Sequence, residues 1–362
     1  MIDVSALRSG LVVAAVAMAA ASHGAAADPV ADFYAGKQLR VIVGFSPGGG
    51  YDLYARLVTR HMSRYIPGNP VIVPQNMPGA GTMVAAQYML QQAPRDGTVL
   101  ATISKDSPVD VVINKAPYKA DYGRLNWIGN PNEDNNIMTV WATSGVKSIE
   151  DATKREVVMG VTAANGAGAL YPRLLNNVLG TKFKIIAGFP GSNELNLAME
   201  RGEIDGRGSD SWVNLRSTRP EWLTEKKVNV IMQMGFRRDA ESADIPLMID
   251  LARNPVERLL FEMLSSGVRL GYPLLTTPDV PAERLEALRR AFDAVMKDPE
   301  FLAEAKNARL GVNPVSGRDV QQAVGSTVNA PSDIVDLLLA ATASGKTFNC
   351  AEVAKDRSLC GK

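Results

Sequence analysis

The chain is expected to fold as two α/β lobes joined by crossing strands, with a ligand cleft between them. Three observations predict this. Strand-like and helix-like patterns alternate after residue 28, which favours a mostly parallel α/β sheet. A second β–loop–α series begins at Val157, after the polar stretch Pro131-Asn132-Glu133-Asp134-Asn135-Asn136. Each series also carries glycine-rich turns where a strand gives way to a helix. Paired lobes of this kind bind small ligands where they meet.

The elements follow in order. Leu39–Phe45 is strand-like, Asp52–Tyr65 helical, Val71–Val73 a short strand and Thr82–Gln92 helical. Thr98–Ile103 is a strand closed by Ser104-Lys105-Asp106-Ser107-Pro108, and Asp106–Asn114 opens a helix before the loop around Pro117. Ile137–Ala142 crosses into the second lobe. There, Val157–Val161 leads through Thr162–Gly168 into a helix over Ala169–Leu179. Lys184–Ala187 is a strand and Glu194–Arg201 a helix, and Gly202–Gly208 carries a turn and the next strand. Val228–Met234 reads as a buried-type strand. Asn254-Pro255 signals the start of a helix over Arg253–Ser266. Val268–Leu275 is extended and returns the chain to the first lobe. Pro281–Lys297 is amphipathic, Pro299–Ala308 is helical, and Gln321–Ala341 closes the fold. The expected units are therefore 28–136 with 268–362 as domain 1, and 137–267 as domain 2.

The N-terminus is of another kind. Arg8 precedes the short apolar run Leu11–Ala21, which ends in Ala25-Ala26-Ala27. That order matches a secretory signal over 1–27, cleaved after Ala27, and the apolar run is too short to span a bilayer. A buried helix is the alternative. The two cysteines, Cys350 and Cys360, lie near the C-terminus. In an oxidising compartment they are expected to form a local disulfide worth about 2–3 kcal/mol on the loop-entropy model; two free thiols are the other possibility.

Composition narrows the function. Of 362 residues, 46% are hydrophobic and 21% charged, as in an ordinary globular protein. A formal charge of +1 excludes the strongly basic face of a nucleic-acid binder. Enzyme chemistry finds little support. One of the two histidines, His23, falls in the signal, and His61 falls in a helix. No metal-ligand spacing or nucleophile elbow is present, and no cofactor is expected. Gly79-Ala80-Gly81 and Gly166-Ala167-Gly168 lack the third small residue of a dinucleotide fingerprint, having Val84 and Tyr171 there.

Two turns remain: Ser46-Pro47-Gly48-Gly49-Gly50-Tyr51-Asp52, and Pro78-Gly79-Ala80-Gly81-Thr82. A backbone turning on glycine into a helix leaves N–H groups pointing one way, and the helix dipole adds positive potential there. Together they suit an anion held mainly by backbone. Asp52 is assigned to the helix start, four residues before Arg56. Tyr51 either lines the cleft or packs.

Leu39 through Arg56, with Phe45-Ser46-Pro47-Gly48-Gly49-Gly50-Tyr51-Asp52 at its centre, resembles the opening signature of the Bug-type extracytoplasmic solute receptors. These are the substrate-binding proteins of tripartite tricarboxylate transporters. The resemblance continues through Pro78-Gly79-Ala80-Gly81, Ala93–Thr98, Arg201–Asp205 and Pro281–Pro299, nearly the whole mature chain. It implies a two-lobed periplasmic-binding-protein fold, a periplasmic location and a small organic acid as ligand. It further implies a monomer that delivers this acid to membrane permease subunits, with no enzyme activity and no bound metal.

The implied ligand wall in domain 1 is Ser46, Gly48, Gly49, Gly50, Tyr51, Pro78, Gly79, Ala80, Gly81 and Thr82. In domain 2 it is Thr162, Ala163, Asn165, Gly166 and Ala167, joined by Arg207 and Asp210. Arg207 either makes a bidentate contact to a second ligand carboxylate or a surface ion pair at a strand end. Tyr51 replaces a small hydroxyl residue of many relatives, which implies a narrower, more aromatic pocket. Where the domain-two loop often has serine and histidine, Asn165 and Tyr171 stand here. A sensor adaptor or an exported enzyme acting on organic acids are the alternatives. If backbone N–H groups carry the anion, a β-branched residue at Gly49 or Gly81 should weaken binding severely, and Asp52→Asn much less.

Overall fold

The computed structural model describes residues 28–113, 121–345, 347–353 and 360; the expected signal over 1–27 and the loop around Pro117 lie outside the described residues. Asp28 caps helix α1 (Pro29–Tyr34), its side chain accepting the Val30 N–H at 2.9 Å, with Pro29 in the first turn where a missing N–H costs nothing. The first lobe then runs β1 (Gln38–Val43), α2 (Gly50–Met62), β2 (Val71–Asn76), α3 (Met83–Gln91), β3 (Val99–Thr102), α4 (Ser107–Ile113) and β4 (Asn126–Asn130).

The chain crosses into the second lobe with β5 (Asn136–Trp141) and continues α5 (Ile149–Lys154), β6 (Val157–Val161), α6 (Ala167–Leu179), β7 (Phe183–Ala187), α7 (Ser192–Glu200), β8 (Gly206–Ser211), α8 (Trp212–Thr218), α9 (Pro220–Thr224), β9 (Val228–Met234) and α10 (Pro255–Ser265). It returns through β10 (Leu274–Thr276), α11 (Ala282–Val295), α12 (Pro299–Asn307), β11 (Val315–Ser316), α13 (Gly317–Val328) and α14 (Ser332–Ala341).

Each lobe is built on one sheet, ordered β11-β4-β10-β3-β1-β2 in the first and β7-β6-β8-β5-β9 in the second. Neither sheet is mostly parallel. β1 pairs parallel with β2 and β3, but β10 runs antiparallel to both β3 and β4. β6 pairs parallel with β7 and β8, but β5 runs antiparallel to β8 and β9. The exceptions include the two crossing strands. A strand arriving from the other lobe has no β–α–β loop to reset its direction, so it enters reversed.

Apolar packing differs from the expected division in one respect. Leu337, Leu338 and Ala341 of α14 join the core that Met138, Val157, Leu174 and Phe261 form in the second lobe. Residues 332–341 therefore pack on domain 2, whereas 268–362 was assigned whole to domain 1. Val109 and Ile113 of α4 join that same core, and Val213 of α8 joins the first lobe's. These helices stitch the lobes together. The Cys350–Cys360 disulfide is present, and no helix among the described residues is long and apolar enough to cross a membrane.

Candidate ligand cleft between the lobes

The first glycine turn joins β1 to α2. Gly48 lies in the left-handed region at φ 85, and its N–H donates to Asp52 Oδ2 at 2.9 Å. Asp52 also receives Arg56 Nε and Asn76 Nδ2, each at 2.9 Å. Burial opposes ionisation of Asp52, but these donors together outweigh it and hold the carboxyl below its ordinary value. The helix-start role expected of Asp52 thus extends to bracing the turn.

The second lobe grips the same turn. Ser46 Oγ donates to Glu194 Oε2 at 2.9 Å, Asn193 Nδ2 to the Pro47 carbonyl at 2.8 Å, and the Gly50 N–H to Asn214 Oδ1 at 2.8 Å. In this arrangement the N–H groups of Gly48 and Gly50 are spent on protein acceptors, although both were expected to face the anion. The turn acts as a seam where the lobes meet.

Steric space separates the three glycines. A Cβ on Gly49, at φ −83, would stand 3.5 Å from Ser192 Cβ, ordinary contact distance. One on Gly48 would come 2.9 Å from Asn193 Nδ2 and sit in a left-handed conformation. Gly48→Ala is therefore expected to destabilise by about 1–2 kcal/mol and Gly49→Ala by well under about 1 kcal/mol, as thermal melts of the two variants would show. The severe effect expected of a β-branched residue at Gly49 does not follow from this geometry.

The second turn is more unusual. Gly79, Ala80, Gly81 and Thr82 have φ values of 149, 45, 62 and 79, four consecutive residues on the positive side. Ala80 and Thr82 hold such values without glycine's freedom, a local cost that tends to collect at ligand sites. Thr82 is buried, and its Oγ1 accepts the Ser104 N–H at 3.1 Å and contacts Ser107 Oγ at 3.2 Å. It is a strut beneath the turn.

This turn walls a chamber of about 650 Å³ between the lobes. Pro78, Gly79, Ala80, Gly81 and Thr82 line it from the first lobe, with Phe45, Met83 and Tyr122 adding apolar surface. Thr162, Ala163, Asn165 and Gly166 face them from the loop between β6 and α6, beside Phe189 and Pro190. Ala167 opens α6 directly behind that loop. The two loops approach closely, since a Cβ on Gly81 would come 2.9 Å from Ala163 Cβ.

A second, smaller chamber of about 90 Å³ lies against the first, sharing Phe45 and Thr162 with it. Tyr51 lines it, stacked on Phe45 with centroids 4.6 Å apart, its hydroxyl accepting the Lys105 N–H at 3.0 Å. Ser104, Asp106, Asn136, Ser192, Arg207 and Ser209 supply polar surface. Tyr51 thus both packs and lines the cleft, and the inner chamber beside it is small.

Arg207 lines the inner chamber and is buried. Its Nη1 pairs with Asp210 Oδ2 and bonds Asn196 Oδ1, both at 2.8 Å, and its Nη2 bonds Ser192 Oγ at 3.1 Å. Asp210 also accepts from Asn214 Nδ2 at 2.8 Å and from the Ser211 N–H. The pair is internal, which removes the exposed ion pair considered from sequence, and both terminal nitrogens of Arg207 already have protein partners.

Sequence reasoning missed Lys105, Asp106, Asp134 and Asn136, all buried. Lys105 Nζ donates to the Asp134 carbonyl at 2.6 Å, and the Tyr272 hydroxyl to Asp134 Oδ2 at 2.8 Å. One signal was available: Lys105 and Asp106 follow β3 at the carboxyl end of a strand in the parallel part of the sheet, where such folds bind ligands.

Burial pushes the carboxyls of Asp106, Asp134 and Asp210 above their ordinary values and Lys105 below its own, each partly offset by opposite charges nearby. A carboxyl raised in the folded state binds more protons folded than unfolded. Its contribution is full below the unfolded value near about 4 and is lost as pH rises through the folded value. The melting temperature should therefore rise on acidification from neutrality, before the lowered carboxyls such as Asp52 titrate. The rise should be smaller in Asp106→Asn. Calorimetric melts across that range would show it, and a monotonic fall would contradict it.

No protein-family profile matches the chain. A UPF0065 protein of the gbd 5' region in Cupriavidus necator is 26% identical over 295 residues, covering 77% of this chain and 83% of that protein. Protein BugT of Bordetella pertussis is 35% identical over 97 residues, 27% of this chain and 29% of BugT. Among solved structures, the periplasmic binding protein BugD superposes with a TM-score of 0.63 at 17% identity, covering 84% of this chain and 97% of BugD. MatC of Rhodopseudomonas palustris, solved with bound malate, gives 0.64 at 18% identity, covering 83% and 99%. The fold is that of the two-lobed periplasmic binding proteins. In sequence as well as fold, the chain is related to the Bug-type receptors.

Proposed function

We propose that the protein is an extracytoplasmic receptor that captures a small organic carboxylate between its lobes and delivers it to the permease subunits of a tripartite transporter. The observation that carries this is the outer chamber, walled on one side by the left-handed turn Pro78–Thr82 and on the other by Thr162–Gly166. Backbone N–H groups of a glycine-rich turn that leads into a helix suit an anion. The apolar surface of Phe45, Met83, Tyr122 and Phe189 suits the carbon body of such an acid. The malate bound to MatC supports the ligand class, and binding proteins as neighbours favour a receptor over an enzyme. Mass spectrometry of small molecules released from natively purified protein should find an organic carboxylate in near-stoichiometric amount. Recovery of only neutral or cationic species would count against it.

A further inference from the structure

Helix α2 begins without a cap of its own. Gly49 stands at its N-cap and has no side chain to accept one of the free N–H groups of the first turn. The second lobe supplies an acceptor: the Gly50 N–H donates to Asn214 Oδ1 at 2.8 Å, and Asn214 is buried. A Cβ on Gly50 would come 3.2 Å from Tyr272 Cε1 and 3.3 Å from Asn214 Cβ, so glycine lets helix α8 approach this closely. That helix has a side in each lobe. Its Trp212 and Leu215 join Leu195, Met199 and Trp222 in the second lobe, whereas Val213 joins Tyr54 and Tyr272 in the first.

The Asn214 amide is aimed. Its Nδ2 donates to Asp210 Oδ1 at 2.8 Å, which turns its Oδ1 toward Gly50, and Asp210 is itself fixed by Arg207 at 2.8 Å. The start of α8 is tied to both crossing segments. The Val213 N–H donates to Asp134 Oδ2 at 3.3 Å, and the Ser211 hydroxyl donates to the same oxygen. The Tyr272 hydroxyl, from the returning segment, reaches it at 2.8 Å.

We propose that α8 is a latch that holds the two lobes together through protein–protein contacts, with Asn214 as its positioning residue. The Arg207–Asp210 pair then has a task beyond mutual neutralisation, since it orients the Asn214 amide. The use of the latch in ligand capture rests on the receptor reading above; the latch itself does not. Parting the lobes exchanges the Asn214 bond for water and uncovers Val213. In Asn214→Ala the Gly50 N–H is buried without an acceptor as long as the lobes stay joined, and parting gives it water. The substitution therefore penalises the joined arrangement alone.

The test is an electron paramagnetic resonance distance measurement on ligand-stripped protein, with spin labels at Val84→Cys and Ile186→Cys. Both side chains are exposed and flank the outer chamber from opposite lobes, Val84 beside Gly79 and Ile186 next to Ala187. With Asn214 in place, one short distance should dominate. Asn214→Ala should raise the ratio of a longer distance to the short one by about tenfold or more, and Val213→Ala should shift it the same way. A long distance that dominates with Asn214 in place overturns the proposal. So does a folded Asn214→Ala variant that keeps the short distance. Should Asn214→Ala fail to fold, Val213→Ala decides, and an unshifted distribution there overturns the latch. No arm contains ligand, so failure of the latch leaves the carboxylate reading standing.

Discussion

Gly81→Val should reduce carboxylate affinity by about a hundredfold or more while both lobes stay folded. Two effects act at this position. Gly81 lies at φ 62, a region a β-branched residue almost never adopts, which costs about 1–3 kcal/mol. Its Cβ would also press on Ala163 Cβ at 2.9 Å, across the seam where the two lobes face each other. The lobes must then part or the turn must relax, and either change opens the outer chamber. Neither touches an apolar core, so the circular dichroism spectrum should be preserved. Gly49→Val is the matched control, since its backbone is extended and its surroundings roomier. Titration of both variants checks the ranking, and equal losses would remove the second turn from the site.

Arg207→Met should destabilise the protein by about 3–5 kcal/mol, because it strands Asp210 as a buried charge without its partner. The pair is 2.8 Å apart and both side chains are nearly inaccessible. Desolvation pushes the Asp210 carboxyl up and the Arg207 guanidinium down, and each counters the shift of the other. The double variant Arg207→Met with Asp210→Asn removes both charges and should recover a substantial part of the loss. Denaturant titration of the two single variants and the double measures this coupling. Additive losses would mean the two residues stabilise separately.

Much of the fold was legible because apolar runs mark it. Val157–Val161 and Val228–Met234 are strands with the bounds expected, since the first is an apolar run and the second is mostly apolar, broken only by Asn229 and Gln233. β8 was harder. Its sequence, Gly-Arg-Gly-Ser-Asp-Ser, contains no apolar side chain, and it is buried because Arg207 and Asp210 neutralise each other. Hydrophobic periodicity cannot register a strand of that kind. Helix α8 was overlooked for a related reason: its cap, Ser211, belongs to the preceding strand. Gln321–Ala341 was read as one closing segment, whereas Pro331 divides it into α13 and α14 and directs the second of these onto the other lobe.

The candidate site divides in the same way. Both glycine turns were legible, because conformations with positive φ leave a compositional trace in Gly48, Gly79 and Gly81. Their division of labour was not. Gly48 and Gly50 donate to Asp52 and Asn214, and Asn214 comes from a helix more than a hundred residues away. Lys105 and Asp106 were read only as the segment that closes β3 and opens the next helix, and nothing local in the sequence marks their burial.

Central to this account is a small carboxylate held between the lobes against the turn Pro78–Thr82. The most direct measurement is calorimetric titration of ligand-stripped protein with a panel of mono-, di-, tri- and aromatic carboxylates, with Gly81→Val run in parallel. The account predicts saturable binding of at least one acid, at one site per chain, that Gly81→Val loses. Silence across the whole panel, or undiminished binding by Gly81→Val, would contradict it.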